Sequence, residues 1–225
     1  MLVLVVDSST PAVTAALAAV TADGVVLRAQ RRAVNPRAHG ELLAPQVQAV
    51  LDETGISARE LAAIVAGAGP GPFTGLRVGL VTAASMGQVL GIPTYGVCSL
   101  DALGLAAAGD GRVLVATDAR RREIYWAVYE ADGGRLSGPD VDSPAAVAER
   151  VKELGVEVAV GEGAQRYADA LGLPVRPQPV YPPADALAAL AAERVRAGAP
   201  TERLTPLYLR RPDAVAASTR KSVLS

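Results

Sequence analysis

Residues 67–79 of this chain read Gly-Ala-Gly-Pro-Gly-Pro-Phe-Thr-Gly-Leu-Arg-Val-Gly, five glycines and two prolines in thirteen positions. Glycine reaches positive φ and permits close backbone approach, and proline fixes φ at about −65°. The stretch follows the apolar run Ala63–Ala66 and opens a helical pattern that lasts to about Leu90. Such a strand-to-helix turn suits three tasks: cradling an anion at the helix start, fitting a partner chain closely, or serving as a rigid corner. No Gly-Lys-Ser/Thr follows it, so the phosphate loop of nucleotide hydrolases is excluded. Gly161-Glu162-Gly163 is a weaker glycine signal and reads as a turn at a helix start. Glu162 would oppose a phosphate there unless Mg²⁺ intervened.

The other reactive side chains are sparse. His39 is the one histidine and Cys98 the one cysteine. A single imidazole with Leu43 four residues on makes a poor zinc or iron site, so metalloprotease chemistry is not expected. Cys98 ends an apolar strand with no base near it in sequence, which suits a small core residue better than a nucleophile. An intrachain disulfide is excluded. No catalytic residue is therefore assigned.

Composition narrows the class further. The chain has 225 residues, 50% of them apolar and 20% charged, the balance of a soluble globule of one or two domains. The formal net charge is −1, so no global basic footprint for nucleic acid exists. At 4% aromatic, stacking platforms for single strands are not expected. No apolar run approaches the roughly 18 residues of a membrane helix. No membrane association and a cytoplasmic location are the expectation.

Positioning of these groups follows from element order. Leu2–Val6 is a continuous apolar strand, Val13–Ala19 and Val25–Ala33 are strands joined at Asp23-Gly24, and a helix runs from His39 to Thr54 and stops at Gly55. A strand (Ala63–Ala66), the glycine-rich corner, a helix (Thr74–Leu90), a strand (Thr94–Val97) and a helix capped by Ser99 complete a first half. A second half repeats the order. It has strands at Val113–Thr117 and Ile124–Tyr129, a short third strand near Arg135 and a helix begun by Ser143-Pro144. A strand at Val156–Val160, a helix after Gly161, an edge strand at Val175–Val180 and a helix over Ala184–Ala197 follow. The expectation is an α/β chain of two βββαβαβα units, one lobe over residues 1–105 and one over 106–225, with the last segment free to pack back on the first. Asp7 and Asp118 hold the same station, directly after the first strand of each half.

This duplicated order resembles the actin-like ATPase superfamily, which includes sugar kinases and Hsp70. The resemblance implies that Asp7 and Asp118 face each other across a cleft and manage phosphate and Mg²⁺. Members of that superfamily follow each first strand with Asp-x-Gly. Here the runs are Asp7-Ser8-Ser9 and Asp118-Ala119-Arg120, without the glycine. Asp7, Ser8, Ser9 and Asp118 thus read as degraded phosphate stations, with no cofactor expected in the isolated chain.

A narrower likeness comes from Asp7-Ser8-Ser9-Thr10, Gly69–Gly79, Arg37–Pro45, Asp118–Tyr125 and Pro206-Leu207-Tyr208-Leu209-Arg210. Together they resemble the TsaB (YeaZ) family across about the whole chain. That family is the non-catalytic paralogue of TsaD in the bacterial machinery that places threonylcarbamoyl on N6 of adenosine 37 in tRNAs reading ANN codons. The resemblance implies TsaD as main partner, TsaE and tRNA within the complex, self-pairing when TsaD is absent, and ATP with Mg²⁺ only in the assembled complex. It also implies a contact made by two first-lobe helices. The stripes that would carry it are Leu43, Val47, Val50 and Leu51 on one helix and Gly75, Leu76, Gly79, Leu80, Ala83 and Gly87 on the other. Each stripe suits the chain's own sheet equally well. Arg120–Arg122 and the group Arg28, Arg31, Arg32 and Arg37 read as solvated faces or as local contacts to tRNA phosphate. An active small-molecule kinase or carbamoyltransferase of the superfamily is the alternative, favoured by the intact aspartates.

Overall fold

The computed structural model of the chain describes residues 1–210; the remainder of the expected second lobe lies outside the described residues. Five strands form the first sheet: β1 (Leu2–Asp7), β2 (Ala12–Val20), β3 (Val25–Val34), β4 (Ala63–Gly67) and β5 (Thr94–Val97), in the order β3-β2-β1-β4-β5. β1 pairs antiparallel with β2 and parallel with β4. Covered on both faces, β1 and β2 have no polar side to show. That is why their sequences are continuous apolar runs rather than alternating ones.

Side chains alternate between the two faces. Leu4, Val6, Val13 and Leu17 meet α1 (His39–Thr54) and α2 (Phe73–Leu90) on one side. Val3, Val5, Ala16 and Ala18 meet Ala184, Leu187, Ala188, Ala191 and Val195 on the other, all from the last helix of the described chain, α7 (Ala184–Arg196). Gly55 and Gly91, at φ 66° and 68°, end α1 and α2 in the left-handed conformation.

The second sheet holds β6 (Val113–Asp118), β7 (Ile124–Tyr129), β8 (Arg135–Asp142) and β9 (Val158–Val160) in the order β8-β7-β6-β9. α4 (Pro144–Glu153) and the short α5 (Glu162–Arg166) and α6 (Ala168–Leu171) follow the strands. α3 (Ser99–Ala106) joins the halves. Its Leu100 and Leu103 pack with Val113, Val115, Tyr125 and Tyr129, so it covers the second sheet.

Three expectations change. The edge strand at Val175–Val180 is absent: Val175 makes one isolated bridge to Ala159, and Pro174, Pro177 and Pro179 lack the N–H groups to continue a ladder. β8 is a full eight-residue strand. Ser99 does not cap α3, since its hydroxyl donates to the Asp7 carboxylate at 2.7 Å. Ser143 does cap α4, accepting from Ala146 N at 3.3 Å.

Candidate functional site: a closed aspartate station and an arginine-lined cleft

Asp7 closes β1 and is enclosed. Its carboxylate accepts from Ser9 N (3.1 Å), Ser9 Oγ (2.9 Å) and Ser99 Oγ (2.7 Å). A Cβ on Gly67 would overlap that carboxylate, so β4 approaches it closely because position 67 is glycine. Burial raises the Asp7 pKa above the ordinary carboxylate range, against the lowering effect of the serine hydrogen bonds. Ser8 is equally committed: its hydroxyl donates to Gly75 O and accepts from Gly79 N, both at 2.8 Å. A Cβ on Gly71 would strike the Ser9 backbone. The glycine-rich turn thus lies directly on residues 8–9 and fills the space above them with the chain's own backbone.

Asp118 has different surroundings. Its oxygens meet Arg166 at 3.3 Å and the Tyr167 hydroxyl at 3.2 Å, while its N–H donates to Glu162 at 3.1 Å. Burial raises the pKa of Glu162. Asp118 lines the cleft between the two sheets, and Asp7 does not reach that lining. The facing pair implied by the superfamily likeness is therefore not formed, because Asp7 is turned into its own lobe. Among the described residues no group of three His, Cys, Asp or Glu could hold a metal ion. The ring of His39 contacts Thr10 O at 2.8 Å through Nε2, which serves as donor to that carbonyl. Burial pushes the Cys98 thiol up to about 11.

The ten residues expected at a partner interface face inward. Leu43, Val47, Val50 and Leu51 of α1 and Leu76, Leu80 and Ala83 of α2 belong to the core on the first sheet. Gly75, Gly79 and Gly87 are buried against Ser8, His39 and Thr94. This corrects the assignment: the small-residue stripe lets α2 lie close to the β1 turn and β5, not to another chain. The outward side of α2 carries Val81 and Val89, 61% and 84% exposed.

The cleft was hidden from the sequence. Two adjoining cavities of about 500 and 570 Å³ share Pro36, Arg37, His39, Pro72, Arg120 and Arg121. Arg122, Arg166 and Arg210 add to the lining, and Asp118 is the one acidic lining residue. Arg120, Arg121 and Arg122 all take left-handed φ, at 61°, 53° and 62°. For non-glycine residues this costs roughly 1–2 kcal/mol each, so the surroundings must hold it. They do: Ala119 N donates to Glu123 O (2.9 Å), Glu123 N to Arg120 O (3.0 Å), and Arg210 donates to Ala119 O (3.0 Å) while pairing with Glu123. Arg210 lies on a strap that includes residues 197–210 and is fixed on α2 by Tyr208. The Tyr208 ring stacks on Phe73 at 4.9 Å, and its hydroxyl accepts from Arg77 at 2.8 Å. The run Pro206–Arg210 was the sequence signal for this brace. Nothing in three successive arginines signals a left-handed turn.

Two mixed sheets of matching strand order, facing across a cleft, define the two-lobed actin-like ATPase fold. The ethanolamine utilization protein EutJ of Carboxydothermus hydrogenoformans shares it at a TM-score of 0.50 and 14% identity, covering 83% of this chain and 88% of its own. A family model described as "TsaD: tRNA N6-adenosine threonylcarbamoyltransferase" matches residues 30–195. An uncharacterized protein of Mycobacterium leprae is 45% identical over 95% of this chain, which spans 56% of that relative's length. The tRNA threonylcarbamoyladenosine biosynthesis protein TsaB of Escherichia coli is 34% identical, covering 93% of this chain and 95% of that protein. The solved structure of YeaZ from Pseudomonas aeruginosa superposes with a TM-score of 0.75 at 28% identity, over 92% and 99% of the two chains. The chain belongs to the TsaB (YeaZ) family.

Proposed function

We propose that the chain is a non-catalytic subunit of the machinery that makes threonylcarbamoyladenosine at position 37 of tRNA, binding and activating a TsaD-type transferase. The carrying observation is the aspartate station. Asp7, Ser8 and Ser9 spend their hydrogen bonds inside the fold, and the glycine-rich turn before α2 packs directly on the Ser9 backbone at Gly71. Position 43, where a His-x-x-x-His metal pair begun at His39 would need its second ligand, is the buried Leu43. An active kinase or carbamoyltransferase needs an accessible station, and this arrangement opposes that reading.

The partner surface is assigned to the outward sides of α1 and α2. Val81 and Val89 are exposed there beside the partly exposed Val78 and Met86. An exposed apolar helix face suits a permanent neighbour. The same face serves self-pairing when the transferase is absent. TsaE and tRNA join through the assembled complex, which also holds any ATP and Mg²⁺, and the work is done in the cytoplasm.

The test is a reconstituted modification assay with this chain, transferase, ATPase, tRNA and threonylcarbamoyl-adenylate, each protein omitted in turn. Modification is expected to need both this chain and the transferase. Modification of tRNA by this chain alone, or at full rate without it, would end the reading.

A further inference from the structure

We propose that the arginine-lined cleft binds the phosphate backbone of RNA directly. The inference rests on the tRNA reading above and deepens it by locating where this subunit touches the nucleic acid.

Charge distribution is the first ground. The chain carries 22 basic and 23 acidic residues, yet the cleft is lined by Arg37, Arg120, Arg121, Arg122, Arg166 and Arg210 against Asp118. A nearly neutral molecule has gathered cations into one concave surface, where low-dielectric walls focus the field. Arg37, Arg120 and Arg122 are exposed and have no carboxylate partner among the described residues. Placement is the second ground. Arg37 precedes α1 in the first lobe, Arg120 and Arg122 sit in the β6–β7 turn of the second, and Arg166 ends α5. Guanidinium groups converging from both lobes suit a chain of phosphates running along the cleft. The turn is held left-handed by Arg210 and Glu123, so the protein maintains an unfavourable backbone at the position where the arginines emerge.

A single nucleotide fits less well. A triphosphate needs a compact cradle of backbone N–H groups, and the turn that would provide it packs on Ser9 instead. Of the rings on the lining, Phe73 and Tyr208 stack on each other, Tyr125 is buried and the Tyr167 hydroxyl is bonded to Asp118, so the contact is through backbone phosphate rather than stacked bases. Such contacts position RNA without reading its sequence. The cleft is therefore expected to take tRNAs that read ANN codons and other tRNAs equally.

The experiment is a fluorescence-anisotropy titration of labelled tRNA transcript with the full-length protein between about 50 and 200 mM salt, the range in which phosphate contacts weaken steeply. The variant is Arg120→Asn with Arg122→Asn, because asparagine tolerates left-handed φ and leaves the turn in place. Affinity is expected to fall about tenfold or more, and the slope of log affinity against log salt to become shallower by about one to two units, as for two lost phosphate contacts. Arg37→Gln, on the other lobe, should give a loss in the same direction. Removing two remote arginines, Arg59→Asn with Arg196→Asn, should change little. Unchanged binding by the cleft variants, an equal loss in the remote pair, or displacement of tRNA by micromolar ATP would overturn the proposal. So would loss of transferase binding with tRNA binding intact, which would make the cleft a protein-docking site. Co-purification of the wild-type chain with transferase is scored separately: its failure sinks the subunit assignment, whereas unchanged tRNA affinity in the variants sinks the cleft alone.

Discussion

Asp7 keeps a position that related folds use for phosphate but performs a packing task. Three hydrogen bonds hold its carboxylate in a site where burial disfavours the charge. The sign of the pH effect follows. A folded pKa raised above the unfolded value, about 3.9, gives stability that is fully present below the unfolded pKa and lost as pH rises through the folded one. Asp7→Asn removes that dependence. Wild type should therefore gain on the variant, in denaturant midpoint, as pH falls from 8 towards 4; a difference that stays flat or reverses would contradict the buried-charge account. Glycines near this residue can be ranked as well. Gly71→Ala places a Cβ on the Ser9 backbone, where nothing flexible can yield, and should cost about 2–3 kcal/mol. Gly40→Ala, in the first turn of α1 with open space around it, should be neutral or stabilising by up to about 1 kcal/mol. Thermal melts of both would check the contrast.

Helix α2 shows what periodicity reports. The pattern placed its limits within one residue and showed that something lies very near its backbone at Gly75, Gly79 and Gly87. It did not show what. An inward stripe and a partner-facing stripe have the same spacing, because the 3.6-residue period fixes which residues share a face and not what covers them. The neighbour is Ser8 for Gly79, where a Cβ would come within 2.6 Å of the hydroxyl, and Thr94 for Gly87. α1 was legible to both ends from its apolar stripe and the stop at Gly55, and β1 from its continuous apolar run. The arginine turn was not, since its conformation is imposed by Arg210, some ninety positions away in sequence. The two sides of α2 can be separated by mutation. Gly79→Trp should unfold or strongly destabilise the isolated chain by displacing Ser8. Val81→Asp, at a residue 61% exposed, should leave the unfolding midpoint within about 0.5 kcal/mol. The same variant should weaken capture of the transferase at least about tenfold, the scale at which a buried interface anchor acts. Full binding by a folded Val81→Asp protein would remove this face from the interface.

At the scale of the molecule, the two halves complete each other's cores. α3 is encoded with the first half but covers the second sheet, its Leu100 and Leu103 packed on Val113, Val115 and Tyr129. Gly104 allows that approach, since a Cβ there would run into the Tyr129 ring, and the Tyr129 hydroxyl donates to Asp101 at 2.8 Å. α7 is encoded with the second half but covers the first sheet, where Leu187, Ala188 and Ala191 sit on Val3, Val5 and Val65. The strap then crosses back, with Glu202 N donating to Thr94 O at the free edge of β5 and Leu207 N donating to Ala68 O just past the end of β4. A cut between residues 105 and 106 falls inside α3 and, with each sheet covered by a helix from the other half, is not expected to yield two folding units. A fragment of residues 1–105 would leave Val3, Val5, Ala16, Ala18, Val65 and Tyr95 facing water in place of α7. Lost burial of this extent is expected to exceed the small margin, about 5–15 kcal/mol, by which domains are stable. The fragment alone should show no cooperative unfolding transition and should bind an apolar dye, and co-expression with residues 106–225 should restore both solubility and a single transition. A monomeric 1–105 fragment that melts cooperatively would show instead that α7 is dispensable to the first sheet, and the interlocked arrangement would then have to serve the cleft rather than the fold.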